Sequence, residues 1–373
     1  MFKLVRKIVM SANTAWYLYN FRQGTIREFI GAGHSVCAVC PSDEKYMDRL
    51  RELGCAVKPI SISRSGKNPL IDLWTFMQYF LCYMLVRPDC VFNFTPKVNI
   101  YSTFAGKLVG ARVVNNIAGL GTLFVNRSVA SKFALVLYRL SQPLADFIFF
   151  QNDDDIELFA NSGIRLREGR YKRIPGSGVD LNRFPYSSKR KQRTLRFLLV
   201  ARMLKEKGIE LYVQAAKILQ ERYSCLEFNL LGPIDVANPS AVSAAQIADW
   251  VGRGWVSYLG VTDDVSAVLE GVDVVVLPSY YREGVPKSLL EAAAMGKVVV
   301  TTDSVGCRET VVEGVTGFLC QPKDLESLVC VLESTIRLDS SEFELMGVNA
   351  RKYMEDNFDE ACVLADYKKA LLG

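Results

Sequence analysis

One stretch decides the fold: Leu277–Gly296, LPSYYREGVPKSLLEAAAMG, which follows directly on the hydrophobic run Val272–Leu277. The run predicts a buried strand, and the residues after it predict a loop and then a helix. We expect the helix to begin near Pro286, because proline is favoured at the first helical position. Backbone N–H groups at such a helix start attract anions. The stretch therefore predicts a parallel βα unit whose turn could hold a diphosphate.

A second stretch, Val200–Gly208, has the same strand-to-helix organisation and reads VARMLKEKG. It places two cations, Arg202 and Lys207, at the carboxyl end of a predicted strand. Arginine binds phosphate through a rigid fork and lysine binds it as a point charge. Together these side chains could neutralise a diphosphate leaving group without a metal, and such preorganised charge is usually the largest catalytic contribution.

Two glutamates lie in the first stretch and are candidates for contacts with the rest of such a ligand. Glu291 falls in the predicted helix, where its carboxylate could accept two hydrogen bonds from a ribose diol. Glu283 lies in the loop before Gly284, Val285 and Pro286, within reach of a group beyond the phosphates. The spacing alone also fits two surface glutamates beside an ordinary turn, and this alternative stays open.

Strands and helices alternate along the whole chain, with a break at 163–194 that is rich in glycine, proline, serine and basic residues. The pattern predicts two Rossmann-like, doubly wound α/β domains that face one another across a cleft, since ligands bind beyond the carboxyl ends of such strands. We place the first domain at 1–170 and the second at 171–355. Packing of the last helix, about 356–373, back on the first domain is an open alternative.

The composition is that of a globular protein, with half of the 373 residues hydrophobic and 23% charged. The net charge of +5 is modest, so we expect no nucleic-acid partner. The ten cysteines lie mostly in apolar runs and no signal-peptide pattern is seen, which favours a reducing cytosol. The acidic run Asp153–Asp155 follows a strand and is explained by helix capping, so no metal site is expected.

The apolar segment Ile71–Val86 predicts a helix with two open interpretations. It is either a buried helix or one that lies in a membrane interface with its aromatic side chains near the headgroups. Basic clusters at 165–173 and 189–196 would suit an anionic surface, although solvated loop charge explains them equally well.

Taken together, these motifs resemble the retaining glycosyltransferases of family 4, which have the GT-B fold. The shared features are the strand-ending arginine with a lysine shortly after it, and the two glutamates, Glu283 and Glu291. A narrower similarity links the chain to the bacterial branch that builds capsule, O-antigen and lipid-linked glycans. The stretches that carry this narrower similarity are Thr95–Tyr101, Gly119–Gly121, Phe150–Asp154, Ile174–Phe184, Gly306–Glu309 and Gly314–Phe318.

The resemblance implies a nucleotide-sugar donor, often UDP-linked, as co-substrate, with no further cofactor, and transfer with retention and without a metal. It implies that Arg202 and Lys207 contact the diphosphate, Glu291 the ribose, and Glu283 with the Gly284, Val285 and Pro286 backbone the donor sugar. It also suggests a polyprenyl-diphosphate-linked glycan acceptor at the inner membrane face. The acceptor side would be lined by a loop from Asn13 to Arg22 and by the loop Asn116–Gly121. The acceptor-side residues would be Asn13, Arg22, Lys97, Gly119 and Gly121.

Three aspects of the function stay open in the sequence. Many relatives use a histidine near the donor sugar, but the one histidine here, His34, lies beside a strand-initiating turn and is expected to be structural. A sugar-nucleotide 2-epimerase of the same fold is a rival enzyme. A non-catalytic scaffold for glycan assembly is the rival outside enzymes.

Overall fold

A computed structural model describes residues 5–62, 69–119, 129–187, 191, 193–234 and 238–372. The chain divides into two compact units. The first unit comprises residues 1–177 together with 360–373, and the second comprises 178–359. Each unit contains one parallel sheet with helices on both faces, so the two-domain α/β prediction is confirmed.

The first sheet has seven parallel strands in the order β3-β2-β1-β4-β5-β6-β7. Their bounds are β1 Lys7–Ser11, β2 Ser35–Cys40, β3 Ala56–Pro59, β4 Cys90–Asn93, β5 Arg112–Ile117, β6 Phe147–Phe150 and β7 Tyr171–Arg173. The central strands are almost wholly buried, as expected for parallel strands covered on both faces.

The described residues of the first unit form six α-helices before the second unit begins. They are α1 Ala15–Gly31, α2 Glu44–Glu52, α3 Pro69–Val86, α4 Pro96–Leu108, α5 Val129–Ser141 and α6 Asp153–Asn161. Helices α1 and α2 contribute to the core on one face of the sheet, and α3 and α4 contribute to the core on the other.

The second sheet has six parallel strands in the order β10-β9-β8-β11-β12-β13. Their bounds are β8 Leu195–Val200, β9 Leu226–Leu231, β10 Ser257–Tyr258, β11 Val274–Leu277, β12 Val298–Thr302 and β13 Gly317–Cys320. The helices are α7 Ile209–Arg222, α8 Ala244–Gly252, α9 Val265–Glu270, α10 Lys287–Ala294, α11 Leu325–Arg337 and α12 Ser340–Asn357. Both faces again carry a hydrophobic core.

The final helix, α13 Glu360–Leu372, belongs to the first unit and packs beside α1. Its Tyr367 is buried in the same core as Phe29 and Phe92. The predicted boundary after residue 170 needs correction, because β7 pairs with β6 and extends the first sheet past it. The second unit begins at Gly178. The edge strand β7 lies before this point, within the segment 163–194 that the sequence predicted to be a linker.

Each sheet has one position at which the strand order reverses, between β1 and β4 in the first and between β8 and β11 in the second. At such a position the loops that leave the two strands run in opposite directions and leave a crevice beyond the carboxyl ends. The loops after β8 and β11 contain the two stretches that the sequence marks as functional.

Candidate active site

The loops after β8 and β11 are joined to each other where the second sheet reverses. The backbone N–H of Tyr280 donates to the Glu206 carbonyl at 3.0 Å. Gly208 adopts φ +76°, and a Cβ built there would lie 2.1 Å from the carbonyl oxygen of Pro278. Only glycine permits this approach, so the sequence fixes the spacing of the two loops at this point.

An ion pair between Lys207 and Glu283 connects the same two loops. Lys207 Nζ contacts Glu283 Oε1, and the two side chains are only 15% and 12% exposed. The Ser279 hydroxyl lies 2.9 Å from the same carboxylate oxygen and 3.2 Å from the Glu206 carbonyl, so its single proton serves one of these acceptors. Two predicted catalytic residues therefore meet, and the charge of each is offset by the other.

Arg202 lies two residues beyond the end of β8 and has no such partner among the described residues. Its side chain is exposed, and no described residue forms an ion pair or hydrogen bond with its guanidinium. A guanidinium that carries its full charge beside a switch-point crevice is available for an anionic ligand.

The segment from Gly284 to Pro286 leads into α10, which begins at Lys287 with Pro286 as its N-cap residue. The helix thus begins next to Pro286 as predicted, but the proline is the N-cap residue and not the first helical residue, because it has an extended ψ of 114°. N–H groups in the first turn of a helix lack acceptors within the helix. This turn directly follows Glu283, so its donors lie close in sequence to the Lys207–Glu283 pair.

The Gly284 backbone is held from the other side by the loop after β12. Gly306 adopts φ +85°, and a Cβ built there would lie 1.6 Å from the Gly284 carbonyl oxygen. The buried Cys307 follows it, and burial chiefly raises the pKa of its thiol to about 11, with the Glu283 carboxylate as a further cause. The thiol therefore stays protonated at neutral pH and packs as a small apolar group.

Glu291 lies in α10 and is almost fully buried, with 9% of its surface exposed. Burial raises the pKa of its carboxyl above the ordinary value, while the positive charges of Lys287 and Arg183 oppose the shift. No described residue donates a hydrogen bond to this carboxylate. It is a buried acceptor that a ligand diol could satisfy.

Three of the predicted acceptor-side residues, Asn13, Lys97 and Gly119, follow strands β1, β4 and β5 of the first sheet. Asn13 follows β1, and its N–H donates to Thr95 Oγ1 at 3.1 Å in the loop after β4. Lys97 lies in the first turn of α4 and pairs with Asp72 of α3 at 2.7 Å. Gly119 follows β5 with φ +89°, and Gly121 lies outside the described residues.

The prediction that Arg22 lies in an acceptor-side loop is wrong. Arg22 belongs to α1, which runs from Ala15 to Gly31, and only 1% of its surface is exposed. Its guanidinium donates to the hydroxyls of Tyr367 at 2.9 Å and Tyr17 at 3.2 Å, and lies 4.5 Å from the centre of the Phe94 ring. Burial between α1 and α13 makes it a core residue that no acceptor can reach.

The sequence analysis did not identify three residues that the structure places at the site in the second unit: Ser279, Gly306 and Arg183. Ser279 and Gly306 both stand in quoted motifs, and a glycine shortly after a buried strand was the available signal for a close backbone approach. Arg183 also stands in a quoted stretch, Ile174–Phe184, but its proximity to Glu291 had no sequence signal because the two residues are more than one hundred positions apart.

Comparison with known proteins shows which families have a similar sequence. A family model described as Glycosyl transferases group 1 matches residues 194–337, which include Arg202, Lys207 and both glutamates. An N,N'-diacetylbacillosaminyl-diphospho-undecaprenol alpha-1,3-N-acetylgalactosaminyltransferase of Campylobacter jejuni is 29% identical over 330 residues, covering 83% of this chain and 84% of the relative. The capsular polysaccharide biosynthesis glycosyltransferase CapM of Staphylococcus aureus is 22% identical and covers 78% of each chain.

Solved structures show the same fold. HepE of Anabaena, crystallised in complex with UDP, superposes with a TM-score of 0.76 over 98% of this chain and 99% of its own, at 17% sequence identity. The fold and the matched domain agree with what the motifs implied. The second unit therefore carries a group 1 glycosyl transferase domain, and the chain is a glycosyltransferase with the GT-B fold.

Proposed function

We propose that this enzyme transfers a hexose or N-acetylhexosamine from a UDP-sugar to a polyprenyl-diphosphate-linked glycan, with retention of anomeric configuration and without a metal. The proposed setting is bacterial surface-glycan assembly at the inner face of the cytoplasmic membrane.

The observation that carries the proposal is the exposed Arg202 guanidinium at the reversal between β8 and β11, which pairs with no residue in the described part of the chain. In the proposed complex the donor diphosphate binds Arg202 and Lys207, and the N–H groups at the start of α10 supply further donors. Bond cleavage at the anomeric carbon leaves negative charge on the β-phosphate. Fixed positive charge at that position lowers the barrier without a metal.

Glu283 and Glu291 would recognise the two ends of the donor. When phosphate takes Lys207 as its counterion, the Glu283 carboxylate becomes available to accept hydrogen bonds from hydroxyls of the donor sugar. Glu291 would accept from the ribose diol, which gives its buried carboxylate the hydrogen bonds that the described residues do not supply. The names of the relatives support this chemistry: one acts on a diphospho-undecaprenol glycan, and HepE binds UDP.

A donor screen followed by a transfer assay tests the proposal. Thermal unfolding is measured with a panel of nucleotide diphosphates, because a ligand that binds only the folded state raises the unfolding temperature. We expect UDP and UDP-sugars to shift it most. The best donor is then incubated with synthetic polyprenyl-diphosphate glycans, and the product's anomeric configuration is read by NMR.

Lys207→Ala and Lys205→Ala form a matched pair for this assay. Lys207 is paired with Glu283, whereas Lys205 lies two residues away, is 48% exposed and contacts Glu210 at 3.7 Å. Turnover should fall about a hundredfold in the first variant and stay near wild type in the second. An inverted product, or sugar-nucleotide epimerisation without an acceptor, would contradict the proposal, as would full activity of Lys207→Ala.

A further inference from the structure

Helix α3 is amphipathic in the reverse sense, with an apolar side in solvent and a polar side facing the protein. Its exposed side presents Leu73, Trp74, Leu81, Met84 and Leu85, each more than half exposed. These side chains form one broad stripe at helical spacing along a helix about 27 Å long. We call this stripe the outer face of α3. A water-soluble helix ordinarily turns such a stripe inward, so the outer face requires a cover.

The inner face of α3 is a line of polar side chains, each bonded to another element of the first unit. Tyr79 bonds the hydroxyl of Ser11 at 2.7 Å, and Tyr83 bonds that of Ser102 at 2.6 Å. Asp72, the one charged residue of the helix, forms the ion pair with Lys97. By length and composition α3 could cross a membrane, with a mean hydropathy of 1.3. Its bonds to the sheet and to α4 instead hold it along the surface of the unit.

The apolar surface continues beyond α3. A groove of about 510 Å³ runs between α3, α4 and α5, and its walls include Leu73, Phe76, Phe104, Phe133 and Leu137. Leu108 and Leu144, which also line the groove, and Val136 and Leu140 of α5 add further exposed apolar side chains. The outer face of α3 is therefore the centre of a larger apolar surface built from three helices.

Charge distinguishes the unit that carries this surface from the other one. The first unit has 25 lysines and arginines against 15 aspartates and glutamates, a net charge of +10. The second unit has 20 against 25, a net charge of −5. Two of the cations adjoin the apolar surface directly: Arg87 follows the last turn of α3, and Lys132 precedes Phe133 on α5, both with exposed side chains.

We propose that the outer face of α3 and the adjoining groove dock the first unit onto an anionic lipid bilayer. Apolar side chains with tryptophan among them, flanked by cations, match the boundary between acyl chains and anionic headgroups. A second copy of the chain fits less well, because pairing through this surface would bring two units of charge +10 together. The proposal concerns binding to lipid alone and goes beyond the sugar transfer proposed above.

Vesicle co-sedimentation of the full chain, without donor or acceptor, tests the docking surface. The vesicles contain either phosphatidylglycerol and phosphatidylcholine in equal parts or phosphatidylcholine alone. We expect binding to the anionic vesicles to be at least tenfold tighter and to weaken as salt rises. Leu81→Glu should lower partitioning at least tenfold, since it removes the burial of one leucine and adds a charge to the apolar face.

Leu345→Glu is the matched control, because Leu345 is similarly exposed, at 60%, but lies on α12 of the second unit. It should bind vesicles like the wild type, and Trp74→Glu provides a second variant of the outer face. Thermal unfolding of each variant confirms that it is folded. The proposal is overturned if the wild type does not bind anionic vesicles, or if Leu345→Glu loses as much binding as Leu81→Glu. It is also overturned if the wild type is a dimer that Leu81→Glu dissociates, because a second copy would then be the cover.

Sugar transfer to a short-chain, water-soluble acceptor separates this proposal from the function proposed above. Leu81→Glu should retain wild-type turnover in that assay and lose only vesicle binding. If the wild-type protein transfers no sugar but still binds vesicles through the outer face of α3, this result contradicts the proposed function and leaves the docking proposal intact.

Discussion

The loop after β12 provides the sharpest test of the site, through the substitution Gly306→Ala. The new methyl group would lie 1.6 Å from the carbonyl oxygen of Gly284, where ordinary contact begins near 3.4 Å. Either this loop or the Glu283–Gly284 backbone must move by about 1.8 Å. Misplacement of a catalytic group by about 1 Å can cost a hundredfold in rate. We therefore expect kcat/KM to fall at least a hundredfold, or about 2.7 kcal/mol of transition-state stabilisation.

The same loop contains its own control. Gly314 adopts φ +70°, close to the +85° of Gly306, but a Cβ built on it meets no atom within 4 Å. Gly314→Ala therefore adds the strain of a left-handed conformation, about 1–2 kcal/mol, without moving the site. Initial rates with the best UDP-sugar, corrected for the folded fraction from thermal unfolding, compare the two variants. If Gly306→Ala keeps its rate within threefold of wild type, or Gly314→Ala loses as much, the assigned role of this contact is wrong.

Further predictions concern charge at the site. Arg202→Ala should lower turnover about a hundredfold through loss of one transition-state charge, and wild-type kinetics would contradict its role. Glu291→Gln should raise the stability of the folded protein and lower its affinity for UDP. Because burial raises the pKa of this carboxyl in the folded state, its ionisation above the unfolded-state pKa costs stability. The variant should melt at a higher temperature at pH 7, with the difference vanishing below about pH 4, and should bind UDP about tenfold more weakly by calorimetry. A lower melting temperature with unchanged affinity would oppose both assignments. Dialysis against EDTA should leave transfer unchanged, and strict dependence on added Mg²⁺ or Mn²⁺ would refute the metal-independent mechanism.

Local patterns were sufficient for the buried strand before the first quoted stretch and for the two loops of the site, but not for the exposed edge strand β7. The run Val272–Leu277, predicted as a buried strand, contains β11 at Val274–Leu277, and Arg202 and Glu283 follow neighbouring strands as expected. The pairing of Lys207 with Glu283 could not be predicted, because it joins side chains 76 positions apart whose geometry depends on the close contact at Gly208.

Errors arose where distant segments decide the environment of a residue. The first turns of α1 carry aromatic residues on several sides, so no single apolar stripe marked them as helical. Arg22 is buried there because α13, about 340 positions later, supplies Tyr367. The composition of α3 predicted an apolar helix, but not which side faces solvent. Its orientation follows from hydroxyl partners such as Ser11 and Ser102 on other elements.

The ion pair between Asp72 and Lys97 has a thermodynamic consequence for how the two surfaces of the first unit communicate. Asp72 lies in the first turn of α3, and Lys97 lies beside the reversal of the first sheet. If the proposed acceptor diphosphate binds Lys97, it competes with Asp72, and its occupancy then alters the strength with which α3 is anchored. Linkage then requires that lipid attachment and acceptor affinity change each other by the same factor, whichever event comes first.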